Sequence, residues 1–256
     1  MIASLGMYDR AETAGANDRL WALIRDGLRR RGVAAPDLLT RGAGAYWPAW
    51  TSPDLVLSQT CGLPYRAELH DKVSLIGTPD YGVQDCPPGY YRSIFVARAD
   101  DPRPRAADFA DAAFAYNDGL SQSGWAAPKA WFAAQGLALT PTLCTEGHAA
   151  SARAVAEGRA DFAAIDAVTW SLLQSYDPVA KALKVVGQTD PSPGLPLISA
   201  ASATGAAHFD AVAQAIADLA PDDRQILRLK GLVRIPSAAY LAVPIPAAPQ
   251  AARPSI

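Results

Sequence analysis

Short apolar runs alternate with segments of helical periodicity along the first hundred residues. Apolar runs bounded by turn residues predict four strands, at 2–7, 55–58, 73–76 and 93–97. After the first run, Leu20, Ile24 and Leu28 recur four positions apart, which predicts a helix over about 17–31 that ends at Gly32. Strands that alternate with helices in this way are typical of α/β proteins with mainly parallel sheets.

Two polar, proline-rich breaks, at 100–105 and 190–194, interrupt this pattern in the way that linkers between compact units do. A second α/β series lies between them, with strands expected at 113–116, 161–165 and 183–186 and helices at 123–135, 148–157 and 168–175. After the second break, the pattern predicts a strand at 197–200 and helices at 209–219 and 222–230. We therefore predict a discontinuous first lobe (1–98 and 193–243), an inserted second lobe (99–192) and a Pro/Ala-rich tail (244–256).

The composition is that of a soluble globular protein and changes this picture little. Of 256 residues, 50% are hydrophobic and 19% charged, and the formal net charge is -2. A charge this close to zero gives no reason to expect nucleic acid or an anionic membrane as partner. No apolar run approaches the roughly 18 residues needed to span a bilayer, so we expect no membrane insertion. An anionic ligand would have to be held by local donors.

The cysteines and the first residues bear on where the protein works. Cys61, Cys86 and Cys144 are too widely spaced for a disulfide framework or a zinc site. Cys61 and Cys86 would be able to form a bridge in an exported protein, and buried thiols are the alternative. Residues 1–9 lack the basic and apolar regions of a signal peptide. Two interpretations stay open: an export signal was removed, or the protein works in the cytoplasm.

The densest group of polar donors is the sequence Ser121, Gln122, Ser123 and Gly124, which follows one predicted strand and opens the next helix. The first turn of a helix has N–H groups without intrahelical partners and carries the positive end of the macrodipole. Two hydroxyls, an amide and a glycine placed there suit a phosphate or phosphonate head group without any lysine. The plain alternative is an ordinary N-cap, for which one serine is enough.

Other polar residues follow neighbouring predicted strands, where ligands of α/β sheets bind. His148 could donate to an anion or cap its own helix, and Asp166 could accept from a protonated ligand oxygen or a cationic amine, or serve as a cap. Tyr8, Thr60 and Tyr91 lie at the ends of strands of the predicted first lobe. Tyrosine offers both a flat apolar wall and a hydroxyl group to a small ligand.

Catalytic motifs are scarce. The stretch from Gly119 to Ser123 is similar to the G-x-S-x-G nucleophile elbow but has serine in place of the last glycine. The sequence has no phosphate-binding P-loop, no complete dinucleotide fingerprint and no paired metal-ligand motif, so we expect no cofactor and no metal. A binding protein is favoured over an enzyme, with a hydrolase that uses Ser121 or Cys61 as the alternative.

Four stretches resemble the phosphate/phosphonate substrate-binding components of ABC transporters, a branch of the type 2 periplasmic binding proteins. They are residues 57–62, 121–124, 147–148 with 154–161, and 164–166, within a similarity that runs from about 3 to 232. The resemblance implies a two-lobed α/β fold in which each lobe is a mainly parallel sheet flanked by helices. It also implies roles for the candidate residues: head-group donors Ser121, Gln122, Ser123, Gly124 and His148, the acceptor Asp166, and Tyr8, Thr60 and Tyr91 on the other lobe.

The function implied by the resemblance is non-enzymatic capture of a small anion (phosphonate, phosphate or phosphate ester) in an interlobe cleft, for delivery to an ABC permease. Family members are periplasmic, and we expect a monomer. Gln122 replaces a small hydroxyl residue that is frequent in the family, which leaves the head group open. A cytoplasmic sensor of the same fold, with another small anion or a vitamin precursor as ligand, is the alternative.

Overall fold

The computed structural model describes residues 1–203 and 205–249. Its strands are β1 (Ile2–Ser4), β2 (Leu55–Gln59), β3 (Val73–Asp80), β4 (Tyr90–Tyr91), β5 (Ser93–Arg98), β6 (Phe114–Tyr116), β7 (Pro141–Cys144), β8 (Phe162–Asp166), β9 (Leu183–Gln188), β10 (Ser192–Pro193), β11 (Leu197–Ala200) and β12 (Gly231–Val233). Its α-helices are α1 (Ala14–Arg30), α2 (Trp47–Trp50), α3 (Gly62–Pro64), α4 (Ala127–Ala134), α5 (His148–Ala156), α6 (Ala167–Tyr176), α7 (Gly205–Asp218), α8 (Pro221–Ile226) and α9 (Ser237–Leu241). Short 3₁₀ turns cover Gly6–Tyr8, Gly42–Ala45, Ala106–Phe109 and Pro178–Ala182, and π turns cover Tyr65–Leu69 and Gln122–Ala126.

The chain divides into two compact units. The first unit contains Met1–Tyr90 and Pro193–Val243, and the second contains Tyr91–Ser192 together with Pro244–Ile256. Of the predicted tail, residues 250–256 lie outside the described residues. Within the described part of the chain, no helix is both long enough and apolar enough to cross a membrane.

The first unit is built on a five-stranded sheet in the order β1-β2-β11-β3-β12. The helix predicted from the four-residue spacing is confirmed as α1, which buries Leu20, Ile24 and Leu28 in the main core. Helix α7 packs beside α1, and an added Cβ at Gly27 would lie 3.3 Å from the Ala211 side chain. Burial of each large aliphatic side chain contributes about 1.5–3 kcal/mol, so this apolar stripe anchors the unit.

The second unit is built on a five-stranded sheet in the order β7-β6-β8-β5-β9. Side chains of β8 alternate between two cores, as the two-residue period of a strand requires. Phe162 and Ala164 pack in one core with Phe114 and Phe132, while the intervening residues of β8 pack in the other core. Helices therefore cover both faces of the sheet.

Both sheets are mixed, whereas the alternation of strands and helices had favoured mainly parallel ones. In the first sheet β1 is parallel to β2, but β11 is antiparallel to both β2 and β3. In the second, β6 is parallel to β7 and β8, but β5 is antiparallel to β8 and β9. One antiparallel strand in each sheet (β11 and β5) follows a crossing of the chain from the other unit, and the first sheet also contains β12, which is antiparallel to β3. Local alternation in the sequence carries no information about strand direction.

Two other expectations differ from the structure for related reasons. The strand at 93–97, placed in the first lobe by the sequence, is β5 and pairs within the second sheet. The helix expected over 222–230 ends at Ile226, and Arg228 has a positive φ of 59°.

None of the three cysteines, all of them in the described residues, forms a disulfide: Cys61 is buried, Cys86 is partly buried and Cys144 is exposed.

Candidate functional site

One edge of the second sheet collects polar residues from several strands. Strands β6, β7 and β8 are parallel, so their carboxyl ends meet at this edge, and the antiparallel β5 begins there. Asn117 follows β6, Asp166 ends β8, and Ser93 opens β5. Thr189 follows β9, and its hydroxyl accepts from the Ser93 N–H at 3.0 Å. Ligands of α/β sheets bind at such edges, which makes this the candidate site of the second unit.

The turn that opens at Ser121 lies beside this edge. The Ser121 backbone is extended, and its Oγ accepts from the Gly124 N–H at 3.0 Å. Ser121 is therefore the N-cap of the π turn Gln122–Ala126, which continues into α4. A serine hydroxyl can accept and donate at the same time, so the cap leaves its hydrogen available to a ligand.

Ser123 and His148 connect this turn to the start of α5. The Ser123 Oγ lies 2.9 Å from the His148 Nε2. Burial lowers the pKa of His148 to about 4, and the nearby backbone of Ala164 acts in the opposite direction. The imidazole is therefore neutral at physiological pH and carries one N–H donor. The histidine contacts Ser123 and not Ser121, the residue of the elbow-like motif.

Asn117 was not among the predicted ligand donors, and its side chain packs against Gly124 of the turn. Its Oδ1 is buried, and an added Cβ at Gly124 would lie only 1.7 Å from that atom. The Asn117 side chain therefore leaves no room for a Cβ at position 124. The signal available in the sequence was an asparagine directly after a strand, four residues before Ser121.

Asp166 and Gln122 occupy the same edge, and each has an internal role. The Asp166 Oδ1 accepts from the Thr169 N–H at 2.9 Å, which makes Asp166 the N-cap of α6. Ser93 is the register partner of Asp166 and donates through Oγ to the Ser123 carbonyl at 2.8 Å. The Gln122 Nε2 donates to the Ser192 Oγ at 3.3 Å. Asp166 is therefore linked to the turn through its register partner Ser93.

The first unit has its own polar edge, where β1, β2 and β3 end. The Tyr8 and Tyr81 rings meet edge to face with centroids 5.0 Å apart, and the Tyr81 hydroxyl accepts from the Gln59 Nε2 at 3.0 Å. Thr60 is fully buried, and its N–H donates to the Pro196 carbonyl. Tyr81 was missed by sequence reasoning because it belongs to no recognisable motif. Gln59 lies inside the family-like stretch 57–62, but no role was predicted for it.

Tyr91 does not lie where the sequence placed it. The residue was expected to line the first lobe, but the division by contacts assigns it to the second unit, where it is 3% exposed. It precedes β5, and the pairing of that strand with β8 and β9 carries Tyr91 into the second unit.

The turn at Ser121 and the adjacent His148 offer uncharged donors (hydroxyls, an amide and a neutral imidazole), and the Asp166 carboxylate is an acceptor at the same edge. In the ranges 1–203 and 205–249, no group of three or more His, Cys, Asp or Glu side chains could hold a metal ion. Hydrogen bonds from such donors to a charged acceptor are shorter and stronger than those between neutral groups. The arrangement is suited to bind a small oxyanion, and Ser123 and His148 would be next to it.

The comparison with protein families gives a match over more than half of the chain. The family model described as "ABC transporter, phosphonate, periplasmic substrate-binding protein" matches residues 58–239. In the comparison with curated proteins, no sequence matches this chain.

Several solved structures share the fold at low sequence identity. PhnD1 from Prochlorococcus marinus (MIT 9301), in complex with methylphosphonate, aligns with a TM-score of 0.69 at 16% identity, over 93% of this chain and 94% of that chain. XAC2383 from Xanthomonas citri, bound to ATP, aligns with a TM-score of 0.68 at 15% identity, over 93% and 92%. A histidine kinase sensor domain with similarity to periplasmic binding proteins aligns with a TM-score of 0.59 at 15% identity, over 92% and 98%.

The solved structures show the fold, and the family model shows the family. The two-lobed α/β structure is that of the type 2 periplasmic binding proteins. The matched segment covers well over half of the 256 residues and includes strands and helices of both units. This chain belongs to the periplasmic phosphonate substrate-binding proteins of ABC transporters.

Proposed function

We propose that this chain captures a small phosphonate- or phosphate-like anion and delivers it to an ABC-type permease. The observation that carries the proposal is the turn at Ser121, whose hydroxyl donors adjoin the neutral imidazole of His148. The family match supports the transport role, and the low-identity structural likenesses support the fold on which the site is built. The proposal includes a periplasmic location, which cell fractionation with an antibody against the protein would test.

The head group would be held by neutral donors instead of a lysine or arginine clamp. Ser121, Gln122 and Ser123 are all nearly inaccessible to solvent, at 5%, 3% and 3% exposure. In surroundings with little water, hydrogen bonds to an anionic oxygen are stronger than on the surface. The first N–H groups of the helical turn and its dipole add to the attraction.

Asp166 would make the affinity depend on the protonation state or the substituent of the ligand. A carboxylate accepts hydrogen bonds and repels a fully ionised oxyanion. A phosphonate monoanion presents a P–OH donor, whereas a sulfonate has no such proton at neutral pH. We therefore expect phosphonates or phosphate esters to bind more tightly than sulfonates of the same shape. Substitution of Asp166 by Asn should reduce that difference.

Calorimetry and thermal shift with a panel of anions test the proposal. Methylphosphonate, inorganic phosphate, a phosphate monoester and methanesulfonate are titrated into the purified protein, and a bound ligand should raise the melting temperature by mass action. If no anion binds and an ester or amide is turned over, the binding role is wrong and a Ser121 or Cys61 nucleophile is supported.

The double variant Ser121→Ala with Ser123→Ala tests the donors directly. Each hydrogen bond to a charged group is worth about 1.5–3 kcal/mol, so loss of both should weaken methylphosphonate binding at least ~100-fold. Ser175→Ala is the matched control, because Ser175 is exposed in the same unit and its Oγ donates to the Ser171 carbonyl, away from the candidate turn. If the double variant keeps wild-type affinity while folded, the proposed site is wrong even where binding itself persists.

Tyr8, Thr60 and Tyr91 are proposed as further ligand contacts. Tyr8 is 8% exposed and packs on Tyr81, so its ring can form a rigid wall. Tyr8→Ala should weaken binding more than Tyr8→Phe, since the wall contributes more than the hydroxyl. Equal affinities for the two variants and the wild type would remove Tyr8 from the site.

A sensor of the same fold is the second candidate. Its support is the likeness to a histidine kinase sensor domain, 98% of which is covered in the alignment. The ligand site would be the same, but the partner of the ligand-bound protein would be a signalling protein and not a permease. Uptake of the bound anion by cells with and without the protein separates the two roles.

A further inference from the structure

The segment 244–249, here named the strap, is docked on the second unit. It belongs to that unit by its contacts although the preceding residues belong to the first. Pro246 and Pro249 are half-buried, while the four other residues of the strap are exposed. A spacing of three residues is the period of a polyproline II helix, so in that conformation both half-buried prolines would lie on the same face.

Two contacts connect the strap to the candidate ligand-binding turn. The Ala247 carbonyl accepts from the Trp125 Nε1 at 3.0 Å. Trp125 is 2% exposed, and a buried indole N–H requires an acceptor. At the other end, an added Cβ on Gly119 would lie 3.0 and 3.1 Å from the Pro249 Cδ and Cγ, so the proline ring rests directly on that glycine.

Gly119 and Trp125 stand on either side of the donor residues. Gly119 precedes Ser121 by two positions, and Trp125 follows Ser123 by two, within the π turn itself. The strap therefore contacts both ends of the segment that presents the donors. Its prolines restrict φ before docking, which lowers the entropy lost when the strap is ordered. One hydrogen bond and one proline contact thus join the strap to this segment.

We propose that the strap is a positioning element of the ligand site, which holds residues 119–125 in the conformation that presents Ser121 and Ser123 to the ligand. The effect on ligand affinity rests on the proposed function, and the docking of the strap rests on its contacts with Gly119 and Trp125. Because coupling between two sites is reciprocal, a ligand that prefers the strapped turn must in turn stabilise the docked strap.

The test uses the full chain with changes on both partners of the interface. Trp125→Phe removes the N–H donor, and Gly119→Ala displaces Pro249; Trp131→Phe is the matched control, since Trp131 packs on Phe95 and Phe132 in the same unit. We expect the double variant to bind methylphosphonate about 5–10-fold more weakly than wild type, in the range usual for coupled sites. Amide exchange of residues 119–126 should accelerate in the same variant without ligand, and the control should match wild type in both measurements.

A merely structural strap would not respond to the ligand, so the reciprocal effect is measured too. In the wild type, methylphosphonate should slow amide exchange at residues 245, 247 and 248. The double variant Pro246→Gly with Pro249→Gly changes the strap alone. If the variant with Trp125→Phe and Gly119→Ala misfolds, affinity and amide exchange are measured on this proline variant. Exchange of 119–126 that is unchanged in the proline variant overturns the inference. Failure of every anion to bind the wild type refutes the proposed function and leaves that exchange comparison as the deciding result for the strap.

Discussion

Substitution of Gly124 by alanine should disrupt the candidate site through a single steric conflict. The added Cβ would lie 1.7 Å from the Asn117 Oδ1 and 3.2 Å from the Ser121 Oγ. Side-chain carbons are in favourable contact at about 3.5–4.0 Å, so the asparagine or the turn must move by more than about 1 Å. Displacements of this kind in a packed region cost about 1–3 kcal/mol, and the turn presents Ser121 and Ser123. Both stability and anion affinity should therefore fall.

A double-mutant cycle identifies the cause of the loss. Asn117→Ala removes the atoms that the new methyl group would meet, so the variant with both changes should recover much of the stability lost by Gly124→Ala. Urea unfolding followed by far-ultraviolet circular dichroism measures the free energy of unfolding of each variant. Gly147→Ala is the matched control: an added Cβ there meets nothing within 4 Å, and the expected change is below about 1 kcal/mol. If Gly124→Ala is no less stable than this control, or if Asn117→Ala rescues nothing, the steric argument is refuted.

Two further predictions concern pH. The folded pKa of His148, about 4, lies below its ordinary value of 6.5, so between these values the unfolded chain binds a proton that the folded chain does not. The free energy of unfolding should therefore fall by up to about 3 kcal/mol as the pH decreases from 7 to 4. Urea titrations of the wild type and His148→Gln would show this fall in the wild type, and the same pH dependence in both proteins would contradict it. Hydrogen bonds from Arg103 lower the pKa of Asp101 to about 2, so its contribution is complete above pH 3.8 and is lost as the pH falls towards 2. Asp101→Asn should lower stability by about 1.5–3 kcal/mol at pH 7, with little difference left at pH 2, and a constant difference across this pH range would disprove the assignment.

The elements that depend on local pattern were predictable. The apolar residues of α1 recur at helical spacing because one face of the helix packs in a core, and that periodicity is visible in any window of the chain. The turn at Ser121 was likewise visible, since helix starts favour hydroxyl side chains next to a strand end. The sequence could not decide whether Ser121 is a helix cap or a ligand donor. The geometry makes the two roles compatible, because the Ser121 oxygen caps the turn while its hydrogen can still donate.

What depended on contacts between distant parts of the chain was not predictable. Asn117 had no motif, and its importance follows only from its fit against Gly124. The strap on Trp125 joins residues 122 positions apart, and the sequence indicated no more than a tail rich in proline and alanine.

The sequence by itself determined the class of fold, the family and the segment that carries the candidate donors, because hydrophobic period, turn residues and short motifs are local properties. Only the tertiary structure decided that β5 runs antiparallel inside the second sheet, that Tyr91 belongs to the second unit and that Ser123 meets His148. The physical reason is that pairing partners and buried polar contacts are selected by the free energy of the whole packed unit. Local preferences of the chain contribute to that free energy without fixing which distant residues meet.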